Sequence, residues 1–329
     1  MNRRDTVVAL FALGAVAAPF ISAAQSPTVV ARIGYLQLSV SSFDKARLAM
    51  FKEGLRELGY VEGKNFVIEW RSAEGKYERL PTLAAELVGL QMNVIVAAGG
   101  TPSALAAKNA TKTIPIVFPT AADPVALGIV ASLARPGGNV TGLSQQSAGT
   151  VAKRLQLLKE IVPHAKRIAV LTNPSNSSAV PWIKETQAAT KQLAVTFLFI
   201  EARAPAEFDD AFAEIARKQA DGLLIFEDVM FAVEAPRLGS LAAKWKLPTM
   251  GRNSVMPEAG ALASYGVNTL EMYRRAAAYV DKILKGAKPG DLPIEQPTTF
   301  EFVINIKTAK ALGITIPPKI LLRADRVIE

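Results

Sequence analysis

Hydroxyls and backbone N–H groups gather in one stretch of the chain, Asn93-Val94-Ile95-Val96-Ala97-Ala98-Gly99-Gly100-Thr101-Pro102-Ser103, which runs on into Ala104-Leu105-Ala106-Ala107-Lys108. Val94 to Ala98 is a continuous apolar run of the kind that makes a strand buried on both faces. Gly99 and Gly100 let the backbone turn tightly. Thr101 is placed to cap a helix that has Pro102 at its first position and alanines behind it. A strand, a small-residue turn and a helix N-terminus would bring free N–H groups and the hydroxyls of Thr101 and Ser103 to one point. That is a seat for a carboxylate or a phosphate. An ordinary strand-to-helix turn has the same composition, so the rest of the chain decides between them.

Other polar residues fall at comparable places, just after predicted strands. In the first half these are Ser39, Ser41, Ser42, Thr120 and Asp123; in the second, Asn173, Ser175, Asn176, Glu227, Asp228 and Tyr265. Ser, Thr and Asn also make turns and caps for purely local reasons. Taken together they would line a cleft with many hydrogen-bonding groups and few charges, because ligands of open parallel sheets bind beyond the carboxyl ends of the strands.

Several chemistries are excluded. There is no cysteine and a single histidine, His164, so thiol nucleophiles, disulfides and Cys/His zinc sites are ruled out. His164 follows Pro163 ahead of a predicted strand and reads as a surface turn residue. No glycine-rich dinucleotide fingerprint, nucleotide-triphosphate loop or nucleophile elbow is found. The net charge of +9 is spread along the chain, whereas a nucleic-acid reader needs a concentrated basic face. Asp123 and the Glu227-Asp228 pair could serve as the two carboxylates of a hydrolase. Binding without chemistry explains the residues more simply, and no cofactor or metal is expected.

The elements that must position these groups alternate regularly. Strands are predicted at Val30–Leu36, Asn65–Trp70, Val94–Ala98, Pro115–Phe118 and Val140–Leu143, with helices between them, one of them over Val125 to Ala134. The rhythm repeats with a helix from Thr150 to Ile161 and strands at Arg167–Leu171, Val195–Ile200 and Gly222–Phe226, closed by Lys246–Met250 and Ala261–Tyr265. A long helix capped by Asn268 and Glu271 then carries an apolar stripe through Leu270, Tyr273, Ala277, Val280 and Leu284. A strand at Thr299–Ile304 and a helix at Lys307–Leu312 finish the chain. Strict β/α alternation implies parallel sheets with helices on both faces, and two units of similar size in 329 residues imply two lobes.

The first 24 residues are different. Arg3 and Arg4 precede an uncharged, apolar run from Val7 to Ile21, and Ser22-Ala23-Ala24 supplies small residues. This is the pattern of a secretory signal peptide cleaved after Ala24. The run is short for a membrane span. The paired arginines fit a twin-arginine signal only loosely. No cysteine at the cleavage site means no lipid anchor.

Particular segments resemble a known family. They are Gly99-Gly100-Thr101-Pro102-Ser103, Ile114-Pro115-Ile116-Val117-Phe118 with Asp123-Pro124, Arg135-Pro136-Gly137-Gly138-Asn139-Val140-Thr141-Gly142, Gly260 to Gly266, Ala277 to Gly286 with Lys288-Pro289, and Asn305 to Gly313. In this order they resemble the ABC-transporter substrate-binding proteins, a family that includes tryptophan- and tyrosine-type binding proteins. The resemblance implies the type I periplasmic-binding fold: two Rossmann-like α/β lobes with parallel sheets, joined by three crossovers near Ser144–Thr150, Gly266 and Phe302–Ile304. Lobe 1 would comprise 25–147 plus 267–301, and lobe 2 would comprise 148–266 plus 302–329. A periplasmic solute receptor is implied, expected to be a monomer, which hands its ligand to an ABC permease and ATPase. For an amino-acid ligand, Thr101 and Ser103 would hold the carboxylate and Asp228, with Glu227, the ammonium. Tyr35, Phe43 or Trp182 would shelter an aromatic or aliphatic side chain. Asn173 to Ser177 matches the family's Asn-Pro-Ser loop, whereas Asp228 lacks its usual Thr and Asn neighbours. The alternatives are an exported ligand-binding subunit of a sensor and an exported hydrolase on the same fold.

Overall fold

The computed structural model describes residues 30–145 and 150–329. The predicted signal peptide and most of the predicted crossover from Ser144 to Thr150 lie outside them.

The chain builds two twisted sheets one after the other. The first unit runs β1 (Ala31–Gln37), α1 (Ser42–Glu57), β2 (Phe66–Ser72), α2 (Leu80–Gly89), β3 (Val94–Ala97), α3 (Thr101–Ala110), β4 (Ile116–Ala121) and β5 (Val140–Ser144). The second runs α4 (Thr150–Ile161), β6 (Arg167–Thr172), α5 (Ala179–Leu193), β7 (Thr196–Glu201), α6 (Phe208–Arg217), β8 (Gly222–Ile225), α7 (Val229–Val233), α8 (Ala235–Lys244), β9 (Thr249–Gly251), α9 (Val255–Glu258) and β10 (Ala263–Val267). After these come α10 (Thr269–Leu284), β11 (Phe300–Asn305), α11 (Ile306–Ala311), α12 (Pro318–Leu321) and β12 (Arg326–Ile328).

The strand order is β2-β1-β3-β4-β5 in one sheet and β12-β11-β10-β9-β8-β6-β7 in the other. Both contain the same parallel order, in which the second strand made lies outside the first. Each therefore has one place where the winding reverses: between β1 and β3, and between β6 and β8. The antiparallel pairing of β10 with β11 is the exception to the parallel rule. It arises because the chain leaves the second sheet for α10 and returns to it from the opposite direction.

Helices cover both faces of each sheet. On one side of the first sheet, Phe51 and Leu55 of α1 meet Tyr273, Ala277 and Val280 of α10 over Ile33, Tyr35 and Val96. On the other side, Leu83 and Leu87 of α2 and Ala104 and Ala107 of α3 pack over Leu36, Ile95 and Ile116. In the second sheet, Leu155 and Leu158 of α4 cover Ile168, Val170 and Leu224, and Phe208, Phe212 and Leu238 cover the opposite face. Thus α10, although it follows β10 in the chain, belongs to the core of the first sheet.

Two local expectations are corrected. Residues 125–134 form turns, not a helix: Gly128 takes φ of 65°, and the Ile129 and Val130 N–H groups both donate to the Pro124 carbonyl at 2.8 and 3.0 Å. A left-handed residue one turn in stops helix propagation there. The cap of α3 is Gly100, with φ of 74°, and not Thr101, which is already the first helical residue with Pro102 behind it.

Candidate functional site

The two reversal points face each other. Leu38, beyond β1, and Gly99 to Pro102, beyond β3, form one wall of a cavity; Asn176 and Ser178, beyond β6, and Glu227 to Val229, beyond β8, form the other. This central cavity measures about 40 Å³, room for a few waters at the roughly 10–15 Å³ that each needs. Larger chambers flank it. One of about 570 Å³ shares Ala122, Gln145 and Trp182 with it, and one of about 900 Å³ shares Tyr77 and Val229.

On the first wall the backbone approach depends on glycine. A Cβ on Gly99 would lie 2.1 Å from Ser103 Oγ and 2.8 Å from Leu38 N, so only glycine lets the β3–α3 turn close over Leu38. Thr101 is buried and its Oγ1 accepts a hydrogen bond from Ala122 N at 3.0 Å. That bond ties the start of α3 to the end of β4 and leaves the Thr101 hydroxyl proton free to point elsewhere. Ser103 is fully buried, and its Oγ has no hydrogen-bond partner among the described residues.

The second wall centres on Asp228, the N-cap of α7, which is 4 % exposed. Its Oδ2 accepts from the Tyr77 hydroxyl at 2.7 Å and from Asn176 Nδ2 at 3.0 Å, while Oδ1 accepts from Met230 N at 2.8 Å. Burial pushes the Asp228 pKa up, and these donors, which favour the carboxylate, only partly offset it. Burial, and next the Asp228 charge, push the Tyr77 hydroxyl well above its ordinary value. The proton therefore stays on Tyr77, which reaches across from beside the first sheet.

An ion-pair chain also crosses between the sheets. Arg47 of α1 reaches Glu227, with Nη2 to Oε1 at 3.2 Å, and Asp44, with Nη1 to Oδ1 at 3.5 Å. Arg252, just past β9, lies with Nε 3.1 Å from Glu227 Oε2, misaligned for a hydrogen bond. Its Nη2 donates to the Gln145 carbonyl at 3.2 Å, and its guanidinium sits 4.5 Å from the centre of the Trp182 ring. Arg154 of α4 is 1 % exposed. Burial, then the neighbouring Arg252, lower its pKa to about 9.

The structure brings Thr101, Thr120, Asn176 and Asp228 together around the central cavity. Asp123 lies in the 570 Å³ chamber, while Ser41, Asn173 and Ser175 lie in the 900 Å³ one. Several of these have local duties: Ser41 caps α1 in a reciprocal pair with Asp44, Asn173 Oδ1 accepts from Ser175 N at 3.0 Å, and Asp123 Oδ1 accepts from Ala126 N at 2.9 Å. Ser42 is exposed in the first turn of α1, and Tyr265 stacks on Phe300 at 5.7 Å; neither lines the cavity or its flanking chambers. Of the three aromatic candidates, Trp182 lines the cavity, Tyr35 packs in the core on Phe51 and Phe43 lies under the Arg47 guanidinium. Arg47, Arg154, Arg252 and Tyr77 are site residues that reading for small polar groups passes over. The two helical arginines do carry a signal: Arg47 shares the buried face of α1 with Phe51 and Leu55, and Arg154 shares that of α4 with Val151, Leu158 and Ile161. A charged residue is almost never fully buried unless it is paired, so a cation in an apolar stripe points to a partner.

Among the described residues, no group of His, Cys, Asp or Glu could hold a metal ion, and no helix is long and apolar enough to cross a membrane.

The family described as ABC transporter substrate binding protein matches residues 37–328. A tyrosine-binding protein of Clostridioides difficile is 31% identical over 271 residues, covering 82% of this chain and 77% of the relative. A solved ABC domain from Streptococcus pneumoniae in complex with L-Trp superposes with a TM-score of 0.85 at 28% identity, covering 91% of this chain and 100% of the other. The ligand-free, open structure of a substrate-binding protein with adhesive properties from Clostridium difficile gives 0.67 at 29% identity, covering 91% and 99%.

Proposed function

The chain belongs to the ABC transporter substrate-binding protein family, and we propose that it is the exported solute receptor of an importer, binding an amino acid between its two lobes. The observation that carries this reading is the pairing of opposite chemistries across one cavity. From lobe 1 come the buried Thr101 and the N-terminus of α3, suited to a carboxylate; from lobe 2 comes the buried Asp228 carboxylate, suited to an ammonium. The lobe bounds are 25–147 plus 267–301 and 148–266 plus 302–329. The N-terminal 24 residues direct export, the mature protein works as a periplasmic monomer, and permease and ATPase receive the ligand from it.

Closure supplies the working stroke. A ligand held from both lobes binds the closed arrangement better than the open one, and only that difference in affinity shifts the equilibrium. The Tyr77–Asp228 and Arg47–Glu227 contacts bridge the same two walls. They support a closed arrangement here, as does the better match to the L-Trp complex than to the open relative at nearly equal identity. With about 40 Å³ between the walls, a ligand must use the flanking space as well. The receptor reading needs no catalysis: Glu227 is held by Arg47 and Arg252, and Asp228 by three donors.

A thermal-shift screen of the chain from Gln25 onward tests the proposal, with amino acids, small carboxylates, nucleosides and sugars as probes. A ligand that binds only the folded state stabilises it by about 2.7 kcal/mol at a hundredfold excess over its Kd. An upward shift confined to amino acids is expected; a shift confined to sugars or nucleosides contradicts the proposal.

A further inference from the structure

The receptor reading leaves Arg154 unexplained. Arg154 lines the 570 Å³ chamber, is 1 % exposed, and its Nη1 has no hydrogen-bond partner among the described residues. Its Nε reaches only the Thr150 carbonyl, at 3.5 Å. The carboxylates nearby are engaged elsewhere. Glu227 lies between Arg47 and Arg252, Glu185 Oε1 accepts from Val151 N at 2.8 Å, and Asp123 holds its own turn. No carboxylate lies within ion-pair distance of Arg154 among the described residues. Glu185 and Glu227 favour its charge from beyond pairing distance, but a buried cation without a directly paired carboxylate is unfavourable, and Arg154 stands in a chamber that shares Trp182 and Gln145 with the central cavity.

We propose that this chamber is an anion seat, in which Arg154 receives an acidic group carried by the ligand in addition to its α-carboxylate. This rests on the receptor reading and narrows it: the solute is an amino acid with an acidic side chain or substituent. The central cavity cannot contain an amino acid by itself, so its side chain must enter a flanking chamber, and this one presents an unmatched guanidinium. Arg252 adds a second guanidinium to the same lining, held 4.5 Å from the centre of the Trp182 ring. Burial, and next the neighbouring Arg252, lower the Arg154 pKa to about 9, so the guanidinium stays charged at neutral pH and an arriving carboxylate would stabilise that charged form.

The test is calorimetric titration of the chain from Gln25 onward with three matched pairs: L-glutamate and L-glutamine, L-aspartate and L-asparagine, 4-carboxy-L-phenylalanine and L-phenylalanine. In at least one pair the acidic member is expected to bind about tenfold more tightly or better, the scale of one buried charge-assisted bond. In Arg154→Met that ratio should collapse towards one. Arg154→Lys, which keeps the cation without the fork, should retain part of it. Relief of the unpaired charge should make Arg154→Met melt higher than the wild type without ligand, which also reports that the variant is folded. Equal affinities within every pair, with Asp228-dependent binding of the neutral members, would overturn the seat and leave the receptor standing. Arg154-dependent binding of glutarate as tight as that of L-glutamate would keep the seat and remove the amino group from the recognition. No binding of any probe by folded protein would overturn both.

Discussion

Asp228 gathers three donors onto one buried carboxylate, two of them from lobe 2 and one, Tyr77, from beside the first sheet. Asp228→Asn keeps a side-chain oxygen for the Met230 N–H, so α7 stays capped, but it removes the charge that an ammonium needs. An affinity loss of about 10- to 100-fold for the amino acid is expected by titration, as for other buried charge-assisted bonds; a loss under twofold would contradict the role. The pH dependence has a definite sign. The folded-state pKa of Asp228 is raised, so its contribution to stability is full below the unfolded carboxylate value and is lost as pH rises through the raised one. Ligand binding goes the other way, because it needs the ionised form. Affinity should therefore weaken as pH falls from neutral into the acid range, and Asp228→Asn should flatten that profile. At this scale Thr101, Asn176 and Asp228, which share the cavity lining, were legible as candidates, because polar residues after strand ends are visible as letters. The sequence did not reveal Tyr77, whose hydroxyl meets Asp228 across 151 positions of chain, a pairing that only tertiary folding creates.

Helix packing sets how well those residues are placed. Helices α1 and α10 pass so closely at Gly54 that a Cβ there would lie 2.3 Å from the Arg274 carbonyl and 2.8 Å from Ala277 Cβ. Gly54→Ala must push the helices apart, and overpacking of this kind costs about 1–3 kcal/mol. Urea denaturation should show that loss, and unchanged stability would mean the two helices are not locked together. Because α1 also carries Arg47, the same variant should weaken ligand binding without touching the cavity. Most elements were legible, since apolar spacing of three and four over α1, α4 and α10 leaves little choice. The false helix at 125–134 shows the limit of that signal: its apolar residues pack against the core from turns, and Gly128 decides the backbone. The β10–β11 antiparallel pair was equally hidden, because strand direction depends on where the preceding segment leaves the sheet.

For the whole molecule, the repeated strand order places two reversal points face to face, so that residues far apart in sequence share one cavity. The duplicated β/α rhythm made two units legible, but periodicity carries no information about the contacts between them. Tyr77→Phe removes the hydroxyl that meets Asp228 while keeping the ring. If Tyr77 favours closure, the variant should show a larger radius of gyration than the wild type in ligand-free scattering curves. Its apparent ligand affinity should fall by the fraction of closed protein lost. Identical scattering curves would show that the Tyr77 bond is incidental to closure. Recognition of one amino acid by both lobes at once is the central feature of the proposed receptor. The decisive measurement is a calorimetric cycle: wild type and Asp228→Asn, each titrated with the amino acid found by the screen and with its des-amino analogue. The wild type is expected to discriminate the two by about 10- to 100-fold, and Asp228→Asn is expected to lose that discrimination. Equal binding of both compounds by the wild type would contradict that recognition.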